Sequence, residues 1–219
     1  VLRELFEQHS FDTLLDVGAN VGQSCRRFRE NKFTGRIISF EPLPDACAKL
    51  RERMSADLQW SLCETCLGES DGTVELVVGG GDGQSSSVFD VRPDRYGVLA
   101  GRAPVKRISV GMRTLDSVCK ELGFAPARTF LKLDVQGAEL KVLAGATGIL
   151  AEVPAIQTEM ALVPTYVGQP VFGEVLQYLR DKGFYLHHLY NGWTTPSMGE
   201  LLETDGLFLN SRIFGQARD

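Results

Sequence analysis

The sequence predicts an α/β fold: an open, mostly parallel, Rossmann-like sheet with one antiparallel strand near its C-terminal edge. Three observations carry the prediction. Short apolar, β-prone runs alternate along the chain with segments of helical periodicity. The first run leads into Asp16-Val17-Gly18-Ala19-Asn20-Val21-Gly22, an acid followed by a glycine turn and then a helix start. The last two strand-like segments, 184–190 and 206–209, are joined by a linker too short and too Gly/Pro-rich for a crossover helix, so they should pair antiparallel.

The elements follow in order. Thr13-Leu14-Leu15 reads as a buried parallel strand, and residues 23–31 as the helix after the turn. Arg36-Ile37-Ile38-Ser39-Phe40-Glu41 is a second strand, broken by Pro42 and Pro44, and Asp45 can cap a helix running to Met54. Residues 58–67 read as a third strand, 68–72 as a turn and 73–78 as an added strand. The stretch from Gly79 through Ala103 carries few periodic signals, as lids and binding loops do. Residues 105–110 suggest another strand, and Thr114 opens a short helix ending at Gly123. Phe130-Leu131-Lys132-Leu133-Asp134 is the fourth main strand, 138–150 a helix, 155–159 a fifth strand, and 171–182 a helix stopped by Gly183. No internal repeat or compositional boundary divides the chain, so residues 1–219 read as a single domain.

Bulk properties exclude several classes. A net charge of -5 argues against nucleic acid as partner, because phosphate neutralisation needs basic patches. The basic cluster Arg26-Arg27-Phe28-Arg29 reads as a solvated helix face. No apolar run approaches the ~20 residues of a membrane span. Cysteines at 25, 47, 63, 66 and 119 form an odd set that suggests reduced thiols and a cytoplasmic setting. Cys63-Glu64-Thr65-Cys66 has no second pair to complete a zinc site, and no metal is expected. The chain begins at Val1, so residues upstream and a removed leader stay open, as does assembly into a homo-oligomer.

Ligands on such sheets bind beyond the carboxyl ends of the strands. Gly18 and Gly22 let the backbone turn sharply, but no third glycine stands at the dinucleotide offset. The acid opening the turn suits a ligand with a cationic amino-acid end, such as S-adenosylmethionine. Glu41 closes the second strand, where a carboxylate can accept both ribose hydroxyls. Asp16 is expected to fix the turn and touch the ligand, and Asn20 tolerates the turn's backbone. Adenine is expected near Cys66, Leu67, Gly68 and Glu69, Pro42 is a further cofactor-binding candidate, and the hydroxyls of Ser85, Ser86 and Ser87 are candidates to line the pocket. Asp134 and Glu159 end adjacent strands over the reacting end and are the favoured acceptor-orienting groups. His187 and His188 are further candidates for a base, and adjacent strand positions let only one of them face the ligand.

Taken together these segments resemble the FkbM-type S-adenosylmethionine-dependent methyltransferases. The matching stretches are Asp16 through Gln23, Phe40-Glu41-Pro42, Leu67 through Gly72, Ser85-Ser86-Ser87, Thr114-Leu115-Asp116, Lys132 through Glu139, Tyr166 through Pro170, and Asp205-Gly206-Leu207-Phe208. The resemblance implies a class I methyltransferase fold and O-methylation of a hydroxyl on a small molecule, a sugar or glycan, or a polyketide-like product. One position departs: the family commonly has Asp-Val-Glu-Gly after the fourth strand, whereas Gln136 stands here. The lost carboxylate weakens the case for Mg²⁺, which prefers carboxylate oxygens. Two other readings are a non-catalytic adenosyl-binding module of a larger synthase and an NAD-dependent oxidoreductase; the missing third glycine argues against the latter.

Overall fold

A computed structural model describes residues 1–95, 103–195 and 199–215. The irregular stretch expected through Ala103 therefore lies partly outside the described residues. The main sheet is built from β1 (Thr13–Val17), β2 (Arg36–Phe40), β3 (Trp60–Cys63), β7 (Thr129–Leu133), β8 (Ala155–Ala161), β9 (Phe184–Leu189), β10 (Trp193–Thr194) and β11 (Leu201–Asn210). Its order runs β3-β2-β1-β7-β8-β11, and β9 and β10 share the far edge of β11. β11 runs antiparallel to β8, β9 and β10, whereas β3, β2, β1, β7 and β8 are mutually parallel. The single reversed strand thus falls where expected.

Register decides which chemistry each face receives. Leu15, Val17, Leu131, Leu133 and Ile156 pack beneath α4 (Leu115–Leu122), α5 (Glu139–Ala144) and α6 (Phe172–Asp181). On the opposite face, Leu14, Ile37 and Phe130 meet Leu2 and Leu5 of α1 (Leu2–Gln8), and Cys25 and Phe28 of α2 (Gln23–Glu30). Because side chains alternate along a strand, Asp16 and Lys132 share this second face, paired in register.

Two sequence expectations change, the strand over 58–67 and the helix over 138–150. Residues 58–67 are not one strand: β3 pairs with β2, whereas β4 (Cys66–Leu67) leaves for a second sheet in the order β4-β6-β5. The expected strands 73–78 and 105–110 are the remainder of that sheet, β5 (Gly72–Gly79) and β6 (Pro104–Arg113), which pair antiparallel. It packs through Leu76, Val78 and Cys66 on Leu43 and Ala46 at the start of α3 (Pro44–Met54), over one edge of the main sheet. The helix expected over 138–150 ends at Ala144, with Gly145 as its C-cap, where an added Cβ would lie 2.0 Å from the Gly68 carbonyl oxygen. α1 carries no strong sequence signal and forms because Leu2 and Leu5 are buried against the second face. Among the described residues no helix is long and apolar enough to cross a membrane, and all five cysteines are free.

Candidate active site

The carboxyl ends of β1, β2, β7 and β8 open into one cleft with about 1150 Å³ of atom-free space, its open mouth included. At one end lie Gly18, Asn20, Glu41, Pro42, Leu43, Cys66 and Leu67. At the other lie Asp134, Gln136, Glu159, Tyr166, Trp193 and Glu203. The loop bearing Ser85 and Ser86 borders both.

The first end is built around backbone that side chains hold open. Gly18 has φ +77, and its N–H donates to the Phe40 carbonyl (3.1 Å), which ties the turn to β2. Asn20 also adopts a left-handed φ of 46. Its backbone N–H donates to Glu41 Oε2 (2.8 Å), and the Leu43 N–H donates to Glu41 Oε1 (2.9 Å). Each Glu41 oxygen keeps a further lone pair for a ligand hydroxyl. Burial pushes the Glu41 carboxyl up, and those two backbone donors work against the shift. Asn20 Nδ2 donates to the Asp82 carbonyl (3.1 Å), whereas its buried Oδ1, at the cleft wall, has no partner among the described residues.

The second end is a buried acid system. Lys132 Nζ lies 3.2 Å from Asp16 Oδ1 and 3.3 Å from Asp134 Oδ2, with both the lysine and Asp16 almost fully enclosed. Burial works against the ammonium, yet the two carboxylates outweigh it and raise the Lys132 pKa. Gln136 Nε2 donates to Asp134 Oδ1 (3.0 Å) and to Glu159 Oε2 (3.1 Å). Burial also pushes Asp134 up, but the Lys132 charge and the Gln136 amide prevail and hold it below its ordinary value. Glu159 goes the other way: burial, then the Asp134 charge, raise it well above its ordinary range. Two carboxyls whose surroundings drive them apart in this way divide naturally into a charged acceptor and a proton carrier.

Not every expected residue reaches the cleft. Gly18, Asn20, Glu41, Pro42, Cys66, Leu67, Ser86, Asp134 and Glu159 line it; Asp16, Gly22, Gly68 and His187 do not. Asp16 faces the α2 side and accepts from Cys25 Sγ (3.0 Å) besides pairing with Lys132. A Cβ on Gly22 would meet Leu50 at 2.6 Å and Trp60 at 2.8 Å, so its small size serves helix–sheet packing. Gly68 lies similarly against Met112 Sδ, at 2.4 Å. His187 is exposed on β9, beyond the reversed strand, and His188 is half-buried against Tyr190. Burial lowers the His187 pKa. Conversely, Leu43, Thr65, Trp193 and Glu203 line the cleft without having been signalled. Lys132 could have been suspected, since a charge inside an apolar strand demands partners.

Comparison with known proteins bears on the family of the chain. The sequence profile described as the methyltransferase FkbM domain matches residues 16–186, from the start of the glycine turn into β9. A curated relative, the 2-O-methyltransferase NoeI of Sinorhizobium fredii, is 31% identical over 174 residues, covering 76% of this chain and 70% of its own. Remoter likenesses include the crystal structure of precorrin-6y C5,15-methyltransferase from Geobacter metallireducens, at TM-score 0.47 and 12% identity over 95% of this chain and 84% of that one. An rRNA methylase from Streptococcus thermophilus gives TM-score 0.47 at 11% identity, over 95% and 94%. Likenesses at that level say nothing about chemistry. The profile match and the NoeI relationship do decide the family: the chain belongs to the FkbM methyltransferases.

Proposed function

We propose that this chain is an S-adenosylmethionine-dependent O-methyltransferase acting on a hydroxyl of a small molecule or glycan. The observation that carries the reading is one cleft with a ribose-competent carboxylate, Glu41, at one end and a divided acid pair, Asp134 and Glu159, at the other. The residues present fit the cofactor. Asn20 Oδ1 is a buried acceptor with no hydrogen-bond partner among the described residues, and Asn20 lines the cleft. The name of the relative NoeI supports oxygen as the methylated atom. Five free cysteines support a reducing, cytoplasmic setting.

When bound, the cofactor supplies an electrophilic methyl group on a sulfonium. Glu41 would accept the ribose hydroxyls on the lone pairs its backbone donors leave free, and Pro42, Leu43, Cys66 and Leu67 would hold the adenine. Asp134, charged and anchored by Lys132, accepts the hydrogen of the acceptor hydroxyl and takes its proton on Oδ. Glu159 stays protonated beside it, so the site holds one negative charge rather than two. Orientation of this kind contributes on the order of 7–11 kcal/mol in well-placed systems, and a positioned base about 10²–10⁴-fold.

Calorimetric titration tests the cofactor. S-adenosylhomocysteine should bind and NAD should give no heat; silence with S-adenosylhomocysteine at high micromolar levels removes the reading. Glu41→Ala should weaken that binding about 10–100-fold, the worth of hydrogen bonds to a charged group. The same change should also lower the melting temperature, because the Asn20 and Leu43 N–H groups lose their acceptor. Asp134→Asn should reduce methyl transfer by about 10²-fold or more while leaving S-adenosylhomocysteine affinity nearly intact. Unaltered turnover in that variant would move the reacting centre elsewhere.

A further inference from the structure

We propose that Gln136, with Tyr166 behind it, is a positioning residue that holds Asp134 and Glu159 as one proton-sharing pair at the acceptor end of the cleft. The proposal rests on the methyltransferase reading for its purpose, but its geometry stands alone. A single nitrogen, Gln136 Nε2, reaches both carboxyls, at 3.0 Å and 3.1 Å. An amide nitrogen carries two hydrogens, so one goes to each acid. An isosteric ionised glutamate would offer only acceptors there and would repel the charged Asp134.

The amide is itself fixed. Tyr166 Oη lies 2.8 Å from Gln136 Oε1, with the Ser85 carbonyl at 3.1 Å as its other neighbour. Burial, then the nearby Glu159, raises the Tyr166 pKa, so its hydroxyl remains a donor. That hydroxyl has one hydrogen for two carbonyl acceptors, and when it goes to the nearer one, Oε1, the NH₂ end faces the carboxyls. The backbone is held too: Ser87 Oγ donates to the Gln136 carbonyl (2.7 Å). Gln136 sits at φ +54, a left-handed conformation that residues other than glycine rarely adopt. Tyr166 is anchored in turn by Gln169 Oε1, which accepts the Thr165 and Tyr166 N–H groups (2.7 and 3.1 Å). The segment Tyr166 through Pro170 therefore gains a physical role as the brace behind the amide.

The charge around Asp134 comes from every side. Lys132 shares its strand, Asp16 lies on β1, Glu139 opens α5, and Glu203 and Asp205 lie on β11. Among these Lys132 is the lone cation; its charge, with the Gln136 amide beside it, favours the negative charge on Asp134, and Glu159 next to that charge is pushed towards its protonated form.

The test is carbon-13 NMR titration of Asp and Glu carboxyls in the whole protein without added ligand, with Asp134→Asn and Glu159→Gln assigning the two resonances. Gln136→Asn tolerates the left-handed backbone but is one methylene too short to span both acids. It should move the Asp134 titration up by about one pH unit, the worth of one hydrogen bond to a charged group. Tyr166→Phe frees the amide to flip and should move it in the same direction by less. A purely structural role would lower the melting temperature and leave the titration in place. An unmoved Asp134 titration in folded Gln136→Asn, or in Tyr166→Phe should the first not fold, overturns the proposal. S-adenosylhomocysteine calorimetry on wild type reports separately on the cofactor: shifted titrations with no binding would sink the methyltransferase reading and leave the brace standing.

Discussion

Lys132→Met is expected to cost about 3–5 kcal/mol of folding stability, the range for stranding buried charges by removing one partner. Methionine keeps the length and apolar stem of the lysine, so packing on the strand changes little and the loss reports on charge. Asp16 would keep only the Cys25 thiol, and Asp134 would keep only the Gln136 amide. The expected loss depends on pH with a definite sign. In the wild type the Asp134 pKa is depressed, so its stabilising contribution is present above the unfolded value near 3.9 and fades as pH falls through the folded one. In the variant the Gln136 amide opposes burial without the lysine charge, so burial weighs more and Asp134 becomes costlier as pH rises. The gap between the two proteins should therefore be widest at about pH 7 and narrow towards about pH 4. Urea midpoints at both values check this. A neutral-pH loss below about 1 kcal/mol would show the ammonium to be dispensable.

That ion system also marks the limit of what the chain discloses as a string. The glycine turn and Glu41 were legible because strand, acid and glycine follow one another within a few residues. Asp134 and Glu159 were legible as strand-end acids. Their division into a charged and a protonated member was not, since it depends on Lys132, Gln136 and burial converging from several segments. Asp16 was placed at the correct strand end, but alternation points its carboxylate to the α2 face, where Lys132 and Cys25 take it. The split of 58–67 left no local signal, because both halves are β-prone and no glycine or proline stands between Cys63 and Cys66. The separation arises only from their partners, Phe40 in one sheet and Met112 in the other. Gly145 and Gly148 did interrupt the helix expected to reach Leu150. Gly145 is required there by the approach of the Gly68 carbonyl, a tertiary contact.

The close approach of the β1 turn to β7 yields the other large effect. Gly18→Ala should destabilise the protein well beyond the cost of a left-handed alanine alone. At φ +77 its Cβ would lie 1.8 Å from the Asp134 carbonyl oxygen and 2.8 Å from the carbonyl carbon. Both atoms are backbone and both flanks are tied: the Gly18 N–H bonds the Phe40 carbonyl, and the Asp134 N–H bonds the Val17 carbonyl (3.0 Å). Relief requires the turn to part from β7, which displaces Asn20 and the donors that brace Glu41. Gly81→Ala is the matched control, because its φ is +68 and a Cβ there meets nothing within 4 Å. The control should lose about 1–2 kcal/mol from backbone conformation, with S-adenosylhomocysteine affinity unchanged. Gly18→Ala should lose about 4 kcal/mol or more, in the range that marks a named steric fault, and should abolish measurable binding. A Gly18→Ala deficit within about 1 kcal/mol of the control would mean that the turn can swing away from β7 at little cost, and the cleft floor would not be rigid.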